Sequence, residues 1–180
     1  MAIAILGWGS LIPCPGELST TGGWHANGPV LRIEFSRVSA DGRLTLVIDP
    51  DHGSDVPTQF VQSTHLNRDA AILNLRRREG TTEPNIGFCT RTGQERSQHQ
   101  QTLPPIRQWL NASSFDAVIW TDLESNFFEK RHVEFSRDAA FDYLEGLANV
   151  CKANARDYIN RVPEQTQTAL RKNLRLRGWL

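Results

Sequence analysis

The stretch AIAILGWGSL, residues 2–11, decides how the rest of the chain is interpreted. Residues 2–6 are all apolar, which predicts a buried strand that runs directly into the loop Gly7–Leu11. Two glycines flank an aromatic residue in this loop, so the backbone can turn sharply and present amide N–H groups to a ligand. The pattern therefore predicts a site for an anion or a carboxylate. The alternative is a plain turn in which Trp8 fills the core and Ser10 bonds to the backbone.

The overall composition excludes several classes of protein. The chain has 180 residues, 39% hydrophobic and 22% charged, which is typical of one globular domain over 1–180. Twenty basic residues balance twenty acidic ones, so the chain has no net positive charge that would favour binding to nucleic acid. No apolar stretch approaches the ~20 residues of a membrane span, and the N-terminus lacks the pattern of a signal peptide. Three scattered cysteines form no motif, and we therefore expect a cytoplasmic protein.

Strand signals dominate the front of the chain and helix signals the back. After the first strand, further strands are predicted over Leu31–Val38, Leu44–Ile48, Gln59–Gln62, Ile86–Thr90 and Phe115–Trp120. Residues 12–29 and 50–57 are rich in proline, glycine and polar residues and are predicted to be loops. Helices are predicted from Asn67 to Gly80, over 104–110, from the cap Ser136 onward, over 153–159, and from Pro163 to the end.

These elements predict the α+β class. Strands and helices do not alternate regularly, so we expect a mixed, barrel-like β-sheet of about five to seven strands with flanking helices. The sheet and its helices form a core at about 1–125, and about 126–180 form a helical C-terminal extension.

Glu79 is the candidate acid–base residue. It follows Arg76, Arg77 and Arg78 and precedes Gly80, at the end of a predicted helix. The negative end of the helix dipole disfavours a carboxylate there by ~1 kcal/mol or less, which raises its pKa and suits a group that takes and returns a proton. The arginines, Arg76 above all, oppose this shift if they fold towards the carboxylate. The alternative is a solvated, salt-bridged helix end.

Together, the loop and the acid resemble the γ-glutamyl cyclotransferase-like family. Members have a Tyr-Gly-Ser-Leu or Tyr-Gly-Ser-Asn loop and a catalytic acid within a Leu-Asp-x-x-Glu-Gly segment. The matching stretches here are WGSL at residues 8–11 and LRRREG at residues 75–80, and the similarity covers residues 1–92 in order and spacing. Two departures stand out, because Trp8 replaces the tyrosine and its hydroxyl, and Arg76 replaces the aspartate.

The resemblance implies an intramolecular acyl transfer that needs no metal and no organic cofactor. The loop residues Gly7, Trp8, Gly9, Ser10 and Leu11 would bind the substrate, their amides holding the α-carboxylate and part of the developing oxyanion. Glu79 would take a proton from the α-ammonium group, and the freed amine would attack its own γ-carbonyl. The same residue would then protonate the leaving amine and release 5-oxoproline. The implied partner is a small molecule with a γ-glutamyl or amino-acid-like group.

Three further residues are candidates for the pocket: Glu34, Trp120 and Asn126. Glu34 alternates with Ile33 and Phe35, so it faces either solvent or the interior of the predicted barrel. Trp120 and Asn126 belong to a segment that follows a strand end, where pockets often open. The alternative for that segment is a connecting loop packed against the core.

Two other classes of function stay open. A non-catalytic protein that keeps the pocket to bind a small carboxylate fits both Trp8 and the arginine run. A structural or interaction protein fits a loop that is only a turn. Cys14 and His25 as a nucleophile–base pair have no local support, and the five histidines show no metal-ligand spacing.

Overall fold

Nine strands form two sheets in the computed structural model, which describes all 180 residues. The strands are β1 (Ile3–Gly7), β2 (Thr20–His25), β3 (Val30–Val38), β4 (Leu44–Ile48), β5 (Ser54–Pro57), β6 (Gln59–Ser63), β7 (Ile86–Thr90), β8 (Glu95–Arg96) and β9 (Ala117–Thr121). The helices are α1 (Arg68–Glu79), α2 (Leu103–Ala112), α3 (Phe127–Arg131), α4 (Arg137–Glu145), α5 (Asn149–Arg161) and α6 (Ala169–Leu176).

The larger sheet is mixed and is built around β1. Its order is β2-β6-β1-β9-β7-β8, in which β1 pairs antiparallel with β6 and parallel with β9. All five residues of β1 are buried, as expected of an apolar strand covered on both faces. The smaller sheet is antiparallel, in the order β4-β3-β5. The α+β class is therefore confirmed, but the two sheets do not join into a closed barrel and the barrel-like detail is not confirmed.

Helix α1 begins and ends where its caps place it. The Asn67 side chain accepts hydrogen bonds from the N–H groups of Asp69 and Ala70, which satisfies two of the free donors at the helix start. Gly80 ends the helix in the left-handed conformation, with φ of 60°. Leu75 and the two other buried residues of the helix pack on the larger sheet, and this fixes where Glu79 emerges.

The helical C-terminal part covers the smaller sheet. A core cluster joins Phe35 of β3 and Leu44 of β4 to buried residues of all four last helices. Ser136 caps α4 as predicted, since its side-chain oxygen accepts a hydrogen bond from the N–H of Ala139. The prediction that Pro163 opens the last helix is wrong, since α6 begins at Ala169 behind the cap Thr168.

Two strands lie where the sequence predicts loops. Strand β2 contains Gly22 and Gly23 and is largely exposed at the edge of its sheet, and β5 is a short, polar edge strand. Neither has the apolar alternation that marks a half-buried strand, because each pairs along only one side. No helix in the structure combines the length and the apolar character that crossing a membrane requires.

Candidate active site

A cavity of about 420 Å³ opens where the two sheets meet helix α5. The adjacent parallel strands β1 and β9 both end at it, at Gly7 and Thr121. Strand β4 supplies residues 45–47, and α5 supplies Asp157, Tyr158 and Arg161. The volume is in the range that small-molecule sites occupy.

The structure brings the two sequence motifs together at this cavity. All five residues of the N-terminal loop, Gly7–Leu11, line it, and so does Glu79 from the end of α1. The two stretches lie far apart along the chain. They meet because α1 packs on the sheet to which the loop is joined.

Three consecutive carbonyl groups of the N-terminal loop are bound within the protein. The Trp8 carbonyl accepts a hydrogen bond from the Thr166 hydroxyl at 2.7 Å. The Gly9 carbonyl accepts from the N–H of Ile12, and the Ser10 carbonyl accepts from the N–H of Cys14. The direction of each of these peptide groups is thereby fixed.

The N–H groups of the same peptides have no acceptor in the protein. In a trans peptide the N–H points opposite to the preceding carbonyl, so the Gly9, Ser10 and Leu11 amides face away from the partners that hold the carbonyls. The Trp8 amide also donates to no protein acceptor. Buried or half-buried backbone donors normally find a partner, and a run of free ones is typical of an anion-binding loop.

The two loop glycines allow close approach of neighbouring side chains rather than a left-handed backbone, since neither has positive φ, and the approach is tighter at Gly7 than at Gly9. A Cβ on Gly7 would stand 2.7 Å from the Trp24 ring. A Cβ on Gly9 would stand 3.2 Å from Leu46 and 3.7 Å from the Tyr158 hydroxyl. The Trp8 side chain packs into the core.

Arg78 connects the acid to the loop. Its guanidinium donates to Glu79 Oε1 at 2.8 Å, to the Cys14 carbonyl at 2.6 Å and to the Ser10 carbonyl at 3.3 Å. Both side chains of the ion pair are largely buried. From the sequence, Arg76 is the arginine expected to affect the acid most. In the structure Arg78 pairs with Glu79 instead, and Arg76 forms no salt bridge.

Burial raises the pKa of Glu79 above its ordinary value, and the neighbouring charge and hydrogen bond of Arg78 oppose the rise. The direction is the one that the sequence predicts, but its main cause is burial rather than the helix dipole. A carboxylate with a raised pKa holds and releases a proton closer to neutral pH, as general acid–base chemistry requires.

Tyr158 is a cavity residue that the sequence motifs do not identify. It belongs to a helical pattern at the back of the chain, and nothing local distinguishes it from a core residue. Its ring packs edge-on against Phe35 and under the Arg43 guanidinium. Burial raises the pKa of its hydroxyl, and the Glu79 carboxylate adds to the rise while interactions with Leu46, Arg43 and Ser10 oppose it.

The three further pocket candidates lie elsewhere, so their assignment to the pocket is corrected. Glu34 is fully buried beneath α6, where its carboxylate accepts from the N–H groups of Phe35 and Leu170. Trp120 is buried, and its indole covers Gly87 on the neighbouring strand. Asn126 bonds through its amide to both backbone groups of Val38. The cavity is instead lined by two residues near them in the sequence, Thr121 and Leu123.

Cys14 lines the cavity, but His25 does not, since its ring stacks on Phe60. The structure therefore does not bring the two together as a nucleophile and its base. No group of three or more His, Cys, Asp or Glu side chains is arranged to hold a metal ion. Comparisons of the chain with protein-family models, curated proteins and solved structures find no match. The geometry of this cavity is thus the basis for assigning a function.

Proposed function

We propose that the protein cyclises the γ-glutamyl group of a γ-glutamyl amine or peptide and releases 5-oxoproline and the free amine. The observation that supports this is the meeting of Glu79 with the N-terminal loop at one cavity. The acid has a raised pKa, and the loop carries consecutive amides without protein acceptors. Proton transfer and anion binding are the two functions that the reaction needs.

The reaction forms one carbon–nitrogen bond and breaks another. The free loop amides hold the substrate α-carboxylate, which places the α-nitrogen near the γ-carbonyl. Glu79 accepts a proton from the α-ammonium group, and the amine forms a bond to the γ-carbon. Glu79 passes this proton to the leaving nitrogen as the bond from that nitrogen to the γ-carbon breaks. The attacking nitrogen gives up its second proton to the departing amine through Glu79, so the lactam keeps one N–H and the amine leaves as an ammonium ion. The products are 5-oxoproline and the amine, with no change in oxidation state.

Tyr158 supplies a phenolic hydroxyl that the loop itself lacks, because the loop carries Trp8. A phenol is neutral at neutral pH and can donate a hydrogen bond, and burial raises the pKa of Tyr158 further. We place it beside the developing oxyanion, where a donor lowers the barrier most. The enzyme proposed here thus combines an acid from α1, amides from the loop and a phenol from α5.

Measurement of 5-oxoproline by mass spectrometry tests the proposal. Purified protein is incubated with a γ-glutamyl dipeptide and with a γ-glutamyl alkylamine, and release from at least one of them is expected. Glu79→Gln is expected to lower release at least about 1000-fold, since it removes the proton acceptor and keeps the shape. Glu83→Gln, on an exposed side chain outside the cavity, is the matched control and keeps full activity. Equal turnover by Glu79→Gln and wild type would falsify the assignment.

One observation favours a second candidate function, a non-catalytic protein that binds a small carboxylate. The Glu79 carboxylate is already held by Arg78 at 2.8 Å, and this ion pair opposes its action as a base. A thermal shift with 5-oxoproline or an amino-acid amide, together with no product from any γ-glutamyl compound, would support this candidate over the enzyme.

A further inference from the structure

The segment Val162–Thr168 joins α5 to α6 and contacts the N-terminal loop through Thr166. We call it the C-terminal strap. It contains no helix or strand, yet Val162, Thr166 and Thr168 are buried. Val162 also lines the cavity. The strap belongs to the part of the chain for which the sequence indicates no function.

Thr166 is the residue of the strap that touches the loop. It is fully buried, and its hydroxyl donates to the Trp8 carbonyl at 2.7 Å. No backbone N–H donates to that carbonyl, so the Thr166 hydroxyl is its one hydrogen-bond partner in the protein. Because the Trp8 carbonyl and the Gly9 N–H belong to one rigid peptide, the bond that holds the carbonyl also sets the direction of the N–H.

Arg171 holds the strap in the position that Thr166 needs. Its side chain is 2% exposed, and the guanidinium donates to the carbonyls of Val162, Pro163 and Thr166 at 2.7–3.0 Å. The nearest carboxylate, on Glu164, is 3.7 Å away and exposed. Burying a charge without a buried counter-ion is costly, and here three strap carbonyls compensate for it.

Helix α6, which carries Arg171, is itself anchored to the smaller sheet. The Glu34 carboxylate accepts a hydrogen bond from the N–H of Leu170 at 3.1 Å, and the Thr168 hydroxyl accepts from the N–H of Arg171. A continuous series of buried hydrogen bonds thus runs from β3 through α6 and the strap to the loop.

We infer that Thr166 is a positioning residue for the ligand-binding amides: through the Trp8 carbonyl it aims the Gly9 N–H into the cavity. The inference rests on the proposed function for the identity of the ligand, a substrate α-carboxylate. It assigns to the C-terminal strap a role in binding rather than in stability alone. Thr166 itself touches no substrate.

The test compares valine variants of two fully buried threonines. Thr166→Val removes the hydroxyl bonded to the Trp8 carbonyl, and the matched control Thr58→Val removes a hydroxyl that donates to the Pro29 carbonyl at the same 2.7 Å, outside the cavity. Both lose one buried hydrogen bond, so both are expected to lower the melting temperature. Only Thr166→Val is expected to lower kcat/KM, by about ten-fold and mainly through a higher KM, because binding of the carboxylate is impaired in ground and transition state alike. Thr166→Ser keeps the hydroxyl and is expected to restore KM.

The ¹⁵N–¹H resonance of Gly9 provides a readout that needs neither turnover nor ligand. It is expected to shift or broaden in Thr166→Val and to stay in place in Thr58→Val. If the Gly9 resonance is the same in wild type and Thr166→Val, the inference is overturned. Equal effects of the two valine variants on KM and on Gly9 overturn it as well. Failure of the proposed function has a different signature, the absence of 5-oxoproline from wild-type reactions.

Discussion

At the scale of the residue, Arg78 has two effects that act in opposite directions on the site. Its hydrogen bonds to the Ser10 and Cys14 carbonyls hold the loop in the conformation that the proposed ligand binding requires. Its charge beside Glu79 lowers the pKa that burial raises, which makes the carboxylate a weaker base. One side chain therefore sets both the geometry of the amides and the proton affinity of the acid.

The pH profile of kcat/KM tests the effect on the acid. In the proposed mechanism the base form of Glu79 is the active one, so activity is expected to rise with pH through the pKa of Glu79, which lies above its ordinary value. Arg78→Met removes the opposing charge, and the acidic limb is expected to move to higher pH. Arg78→Lys keeps a charge and is expected to move it less. An acidic limb that lies at the same pH in all three proteins would contradict Glu79 as the base.

At the scale of the element, the contact between β3 and α6 depends on a buried acid. The Glu34 carboxylate accepts hydrogen bonds from N–H groups of both elements. Burial raises the pKa of Glu34, the Asp49 carboxylate adds to the rise, and the hydrogen bonds oppose it. The folded state therefore favours the protonated form. The stability that Glu34 contributes is fully present below the ordinary pKa of a glutamate and is lost as pH rises through the raised pKa.

Urea unfolding at a series of pH values tests this contact. Glu34→Gln presents an N–H₂ group where an acceptor is needed, so it is expected to lower the free energy of unfolding by about 1–3 kcal/mol at acid pH. The difference between wild type and variant is expected to shrink as pH rises, because only wild type carries the ionisable group. Glu129→Gln, at an exposed helical position, controls for the loss of a charge. A difference that grows with pH would contradict the raised pKa.

Local sequence signals predict where single helices and strands form, but they do not predict which other elements pack against them. Asn67, Gly80 and the apolar run of Ile86–Thr90 carry their own caps or patterns, and α1 and β7 form where these signals place them. The burial of Glu34 depends on α6, which is more than a hundred residues away, so strand alternation alone leaves its environment undetermined. The sequence pairs Glu79 with the loop through a family resemblance. It offers no local signal for Tyr158 or Thr166, whose roles arise only when α5 and the strap pack against the loop.

At the scale of the whole molecule, the cavity joins parts of the chain that are far apart in sequence. The N-terminal loop and the end of α1 come from the front of the chain, β4 forms one wall, and α5 with the strap comes from the back. The front and back also share a core cluster that runs from β3 and β4 into the last helices. A ligand in the cavity contacts all of these parts, so its binding free energy stabilises them together.

Hydrogen exchange with and without 5-oxoproline tests this coupling. The ligand is expected to slow amide exchange in the N-terminal loop, in α5 and in the strap at the same concentration, and to leave the exposed edge strand β2 unchanged. 2-Pyrrolidinone is the matched control, since it has the same ring without the carboxylate that we propose the loop amides bind, and it is expected to protect none of the three. Protection confined to the loop would show that the back of the chain is a separate stability unit, in which case the strap has no part in binding. Equal protection by both compounds would mean that the ring alone is recognised and that the free amides of the loop do not hold a carboxylate.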